Sequence, residues 1–290
     1  MKILCLHGSG TSADIFAAQT AMVRENLDAG EHTYHFLDAP HLSHAGPGVS
    51  PFFDGPFYAW WTNETTTDVR VATKKLLQEL QAQQPHYDAV LCFSQGCSLL
   101  ASLIFYYQAE FPEEPLPFRS VIFICGGVPL YVLDTWIEIS AQARATDMHN
   151  IQQVHAASRD APKKVAAYMT SGVRQRMWDR PTALWDGQDD SKAPSYGIPS
   201  LNTANVFGLN LSVLPSNLRI KIPSLHIYGH KDPICTCSLQ LAMMSNAENR
   251  LVYNHGGGHE IPFKGHVAKD IANAIEQLDK WLDDDVMNQF

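Results

Sequence analysis

Short apolar runs alternate with longer stretches of helical periodicity from the first residues to the last, which restricts the fold more than any other feature of the chain. Such alternation predicts a mostly parallel sheet covered by helices. Lys2 to Leu6 reads as the first strand. A helix from about Ala13 to Leu27 follows, with Ile15, Phe16, Met22, Val23 and Leu27 at helical spacing and Ser12 as N-cap. Tyr34 to Leu37 is a second strand. Pro40 to Trp61 carries four prolines before Phe57 and no periodicity, so it reads as a long loop of the kind that is usually functional. A helix near Asp68 to Gln83 leads to the apolar run Ala89 to Phe93, a sharp change to the helical run Cys97 to Tyr107, and the strand Ser120 to Cys125. The alternation then breaks from about Val128 to Pro215, a stretch mixing helix-like pieces with the Gly-, Asp- and Pro-rich Asp186 to Pro199. It resumes with the strand Ser224 to Tyr228, a helix near Ser238 to Ser245, the strand Arg250 to Tyr253 and a last helix from about Val267 to Leu282. The expected organisation is one core in two parts, residues 1–127 and 216–290, with residues 128–215 inserted as a cap above the sheet.

Composition narrows the function classes. Hydrophobic residues make up 45% and charged residues 18% of 290 residues, enough to bury a large core. With 21 basic against 30 acidic residues the net charge is −9, which argues against nucleic acid or an anionic membrane as partner. No apolar run approaches the ~20 residues of a membrane helix, and Lys2 to Leu6 runs straight into His7-Gly8 with no signal-peptide pattern. A soluble, cytoplasmic protein is expected. The six cysteines then read as reduced thiols and not as disulfides.

Chemistry enters at Cys92-Phe93-Ser94-Gln95-Gly96-Cys97. A serine hydroxyl is a poor nucleophile until a neighbouring base takes its proton, and it must project from the backbone to reach a carbonyl. A tight strand-to-helix elbow does this, and it needs small residues two before and two after the serine. Gly96 meets that need, whereas Cys92 stands where glycine is usual. In this arrangement the acid and the histidine follow the serine in chain order, on loops at the carboxyl ends of later strands. Asp232 follows the strand Ser224 to Tyr228. His259 follows the strand Arg250 to Tyr253 through Gly256-Gly257-Gly258. Ser94 is therefore the expected nucleophile, His259 the base and Asp232 the acid. His255 competes for the role of base, but the triple glycine lets the loop swing His259 towards the elbow. Donors for the oxyanion are expected from the backbone N–H groups of Gln95 and Ser9.

Two rival readings come from other motifs. Gly8-Ser9-Gly10-Thr11-Ser12-Ala13, with Asp38 after the next strand, also satisfies a dinucleotide-binding fingerprint, though it leaves the elbow and both later loops unexplained. Cys235, Cys237, His226 and His230 form a loose metal-like set. Residues four apart on a strand are ~13 Å apart, too far for His226 and His230 to share one ion, so no metal is expected.

Leu6-His7-Gly8-Ser9-Gly10-Thr11-Ser12-Ala13-Asp14-Ile15-Phe16 with Gln19-Thr20 resembles the opening of the family serine hydrolases, best known from fungi. Gly46-Pro47-Gly48-Val49, Gly55 to Trp61, Phe93 to Gly96, His226 to Gly229 with Asp232, and Gly257 to Pro262 are similar to that family's landmarks. The resemblance implies the α/β-hydrolase fold, no cofactor, and hydrolysis of an acyl ester or thioester. It further implies release of an acyl chain in polyketide secondary metabolism, with the acyl carrier domain of a synthase as a partner. A small-molecule carboxylesterase or deacetylase is the second reading, and a hydrolase-fold protein with a binding or non-hydrolytic role the third. The aromatic group Phe52-Phe53, Phe57 and Trp60-Trp61 fits two roles, pocket lining for the acyl chain or plain core. Lys163-Lys164, Arg174, Arg176 and Arg180 read either as a docking face for an acidic carrier domain or as a solvated helix face.

Overall fold

The computed structural model describes residues 1–27, 30–170, 194–262 and 265–287. The chain opens with β1 (Lys2–Leu6), α1 (Ala13–Arg24) and β2 (Thr33–Leu37), then a small antiparallel hairpin of β3 (His41–Ser43) and β4 (Phe57–Ala59). Next come α2 (Thr66–Ala82), β5 (Tyr87–Phe93), α3 (Gln95–Glu110) and β6 (Phe118–Ile124). A long excursion holds α4 (Leu130–Leu133), α5 (Ala141–Thr170) and β7 (Ser195–Tyr196). The chain then returns through β8 (Ser224–Tyr228), α6 (Cys235–Met243), β9 (Arg250–Asn254) and α7 (Gly265–Met287). Among the described residues, seven strands form one sheet in the order β2-β1-β5-β6-β8-β9-β7, parallel throughout except for β7, which pairs antiparallel with β9. This is the expected α/β-hydrolase architecture of a mostly parallel sheet flanked by helices.

Strand periodicity sorts the core into two layers, because successive side chains point to opposite faces. Leu4, Leu6, Val90, Cys92, Val121 and Phe123 face one side, where α2 and α3 supply Val69, Leu76, Leu80, Leu99 and Leu103. Ile3, Cys5, Leu91, Ile122 and Ile124 face the other, against Phe16 and Val23 of α1 and Ile271, Ile275 and Leu278 of α7. Both faces are covered, which is why these strands read as continuous apolar runs. Ser12 caps α1, its hydroxyl accepting from the Ile15 N–H at 3.2 Å.

The excursion between β6 and β8 is rooted in the core at both ends. Leu130, Val132, Leu133 and Ile137 at its start and Val206, Leu209, Leu211 and Leu214 near its end join the same apolar layer as α3. Arg174, Arg176 and Arg180 lie outside the described residues, as does most of Asp186 to Pro199. Inside the segment expected as a structureless loop, β3 and β4 form the hairpin; strands of three residues are too short to show alternation. All six cysteines are free thiols. Among the described residues no helix is long and apolar enough to cross a membrane.

Candidate active site

Ser94 sits at the turn from β5 into α3 with φ 52° and ψ −116°, a backbone conformation that costs energy for any residue with a Cβ. Three hydrogen bonds hold it there: its N–H donates to Ile124 O at 3.0 Å, and its carbonyl accepts from the N–H groups of Cys97 and Ser98 at 2.9 and 3.3 Å. The side chain makes no helix cap, so the hydroxyl projects away from α3. Gly96 makes the turn possible. A Cβ there would stand 2.4 Å from Leu6 O, so α3 can run this close to β1 only without a side chain at that position. Cys92 is tolerated where glycine is usual because its thiol turns into the sheet and donates to Ile122 O at 3.3 Å.

The partners arrive from the ends of β8 and β9. Asp232, 2% exposed, follows β8, and its Oδ1 accepts the Ile234 N–H at 2.8 Å. The other carboxylate oxygen, Oδ2, lies 2.9 Å from Nδ1 of His259. Nε2 of the same ring lies 2.9 Å from Ser94 Oγ, and the ring packs on Phe93 with centroids 5.2 Å apart. A close backbone approach brings the two loops together. Lys231 N–H donates to Gly257 O at 3.0 Å, and a Cβ on Gly229 would stand 2.1 Å from that same carbonyl. The structure thus joins Ser94, His259 and Asp232, residues far apart in sequence, in one continuous hydrogen-bonded chain.

Neither the Ser9 nor the Gln95 N–H donates to a protein group among the described residues. Gln95 begins α3, so its N–H belongs to the helix N-terminus, where partial positive charge favours an anion. The loop bearing Ser9 runs past the elbow; a Cβ on Gly8 would stand 3.0 Å from that of Ser94. His7 holds this loop, a role the sequence reading did not assign. Its Nε2 accepts the Ala39 N–H at 3.0 Å, which leaves the hydrogen on Nδ1 to donate to Gly8 O at 2.7 Å. Burial lowers the pKa of the imidazole, consistent with this neutral form. Its position after β1 gave no signal, since Gly8 O and the Ala39 N–H are both backbone groups and the second is distant in sequence. The Gln95 side chain also acts here, accepting from Trp60 N–H at 2.9 Å and donating to Trp61 O at 3.1 Å.

Other candidate residues fall elsewhere. His255 is buried behind the site, with Nε2 3.4 Å from Cys125 Sγ. Trp60 and Trp61 are 5% and 4% exposed within the main core, and the Trp60 indole N–H donates to His7 O at 2.8 Å. Phe53 and Phe57 are half-buried. The glycine loop of the dinucleotide fingerprint is pinned to the hairpin, Gly10 N–H donating to Tyr58 O at 2.8 Å, and Asp38 accepts the Ala13 N–H at 2.7 Å. Among the described residues, His226, His230, Cys235 and Cys237 do not form a metal-binding group. His226 instead stacks on Phe123, with its Nε2 2.9 Å from Ser245 Oγ.

Known proteins match over nearly the whole chain. The serine hydrolase (FSH1) family model matches residues 1–271. Esterase FPY3 of Fusarium mangiferae is 24% identical over 281 residues, covering 96% of each chain, and esterase alnB of Emericella nidulans is 26% identical over 276 residues, covering 90% of each. Among solved structures, Arabidopsis thaliana SOBER1 is 13% identical with a TM-score of 0.46, covering 96% of this chain and 98% of its own. With the family model spanning this much of the chain, the protein belongs to the FSH1 serine hydrolase family.

Proposed function

We propose that Ser94, His259 and Asp232 form a catalytic triad that transfers an acyl group to water through an acyl-enzyme. The observation that carries this is the chain Ser94 Oγ to His259 Nε2 to Asp232, with both links at 2.9 Å. His259 Nε2 takes the proton of the Ser94 hydroxyl as the oxygen attacks the substrate carbonyl. Asp232 accepts the hydrogen bond from Nδ1, which fixes the tautomer and stabilises the imidazolium that forms. The N–H groups of Ser9 and Gln95 hold the oxyanion; one such donor is worth roughly a hundredfold or more in rate. The C–O or C–S bond of the tetrahedral intermediate then breaks, the leaving group taking the proton from His259. Water adds to the acyl-enzyme by the reverse route, giving the free acid. No cofactor takes part.

The substrate we propose is an acyl thioester, released as product from the acyl carrier domain of a polyketide synthase, in keeping with the sequence resemblance. Phe53 and Phe57, half-buried, offer apolar surface to the acyl chain. A second reading, a carboxylesterase or deacetylase acting on a small molecule, is favoured by the relatives named as esterases.

Intact-protein mass after exposure to a fluorophosphonate tests the triad. One adduct on the native chain, absent from Ser94→Ala and His259→Ala, is expected; labelling at another residue would overturn the site. Comparing kcat/KM for an acyl thioester and the oxygen ester of the same acyl group then separates the two substrate readings.

A further inference from the structure

We propose that Cys125 is a positioning residue for the triad, its thiol joining the loops after β6, β8 and β9 behind Asp232 and His259. The inference rests on the triad reading above. Cys125 directly follows β6, and its sulfur, a carboxylate oxygen of Asp232 and a ring nitrogen of His259 lie within 4.8 Å of one another. The same sulfur stands 3.8 Å from Gly258 O and 3.7 Å from Glu260 O, the carbonyls on either side of His259. One atom therefore touches the acid and both flanks of the base.

Two further features separate this thiol from an ordinary core cysteine. The backbone of Cys125 is at φ 49°, a left-handed conformation that residues with a Cβ avoid, and its N–H is tied to Ile227 O at 2.8 Å. Such strain persists where the surroundings over-determine it, and here it aims the side chain at the two loops. Behind the sulfur lies His255. Its Nδ1 accepts the Gly257 N–H at 3.2 Å, so Nε2 carries the hydrogen and directs it at Sγ from 3.4 Å. The sulfur thus receives one hydrogen bond and keeps its own S–H to donate to the Gly258 and Glu260 carbonyls that flank His259, beside the Asp232 carboxylate. Burial and the Asp232 carboxylate both raise the thiol pKa, so the S–H stays protonated.

The test measures kcat and KM on p-nitrophenyl acetate, the rate of fluorophosphonate labelling at Ser94, and the melting temperature, for Cys125→Ala and Cys125→Ser. Removing the donor in Cys125→Ala lowers kcat about tenfold, the rate equivalent of one hydrogen bond, with KM within about twofold. Labelling slows in parallel. Cys125→Ser keeps a donor and recovers to within about threefold of the native chain. Native kcat in Cys125→Ala would overturn the proposal, as would equal losses in both variants that follow a drop in melting temperature, or a change confined to KM. Absence of a Ser94 adduct on the native protein overturns the triad reading and this inference together. An adduct forming at equal rates in native and Cys125→Ala protein overturns this inference alone.

Discussion

His7 on the loop after β1 and His259 on the loop after β9 both lie beside the elbow, and the difference between them separates scaffold from the proposed chemistry. Around His7, both ring nitrogens have backbone partners, Ala39 N–H and Gly8 O, and burial favours the neutral ring. Gaining or losing a proton there would break a bond that holds the loop. His259 lies between a carboxylate and a hydroxyl, each 2.9 Å away. Those are the partners that the proposed triad requires, a carboxylate to steady an imidazolium and a hydroxyl to supply its proton. A histidine's partners, more than its burial, therefore assign its task.

The largest effects test the β9 side. Ser94→Ala and His259→Ala should each lower kcat by several powers of ten, with the double variant little worse than either, because residues acting as one unit are not additive. Steady-state kinetics on an activated ester checks this, and a double variant falling by the product of the single effects would break the unit. Asp232→Asn should cost about ten thousandfold in kcat, since the amide fixes the wrong tautomer of His259. Activity within tenfold of native in Asp232→Asn would show that the carboxylate does not orient the ring.

His7→Phe should act differently. It strips the acceptor from the Ala39 N–H and removes one of the two donors to the Gly8 carbonyl, which keeps the Thr11 hydroxyl at 2.7 Å, costing roughly 2 kcal/mol and lowering the melting temperature by ~4–8 °C. Its kcat should fall only about tenfold through displacement of the Ser9 N–H. Loss of activity as deep as in His259→Ala, with melting unchanged, would erase the distinction between the two loops.

How much of this could be read from the sequence depends on whether each interaction is local. The elbow was legible because Ser94 and Gly96 are neighbours and the turn is built from their own backbone. Asp232 and His259 were found from their order after successive strands, and the structure brings both to Ser94. The roles of His7 and Cys125 were hidden. Each has partners on loops far away in the chain, and each stands just after a strand, where it looks like an ordinary strand-end residue. The β3–β4 hairpin left no pattern at three residues per strand, and β7, at two, left none either. Trp60 and Trp61 fitted core and pocket equally in sequence, and only the contact of Trp60 with His7 and the burial of both place them in the core.

His226 sharpens the comparison with the smallest expected effect. Like His7, it is a buried histidine with scaffold partners: Nε2 meets the Ser224 and Ser245 hydroxyls, and the ring stacks on Phe123. Burial, helped by nearby Arg250, lowers its pKa to about 3. An unfolded chain carries this histidine near its ordinary value of ~6.5, so as pH falls through that value the unfolded state takes up a proton that the folded state refuses. The stability contributed by neutral His226 is complete above ~6.5 and is lost as pH falls towards its folded value. His7, with its pKa also lowered by burial, acts in the same direction. Urea unfolding between about pH 5 and 6.5 should show stability rising with pH. In His226→Gln the slope should shrink by up to ~1.4 kcal/mol per pH unit, one proton's worth, while kcat at neutral pH stays within about twofold because the ring touches no part of the triad. An unchanged slope in that variant would mean that His226 accepts its proton in the folded state, and a buried ring with scaffold partners would no longer imply a fixed neutral one.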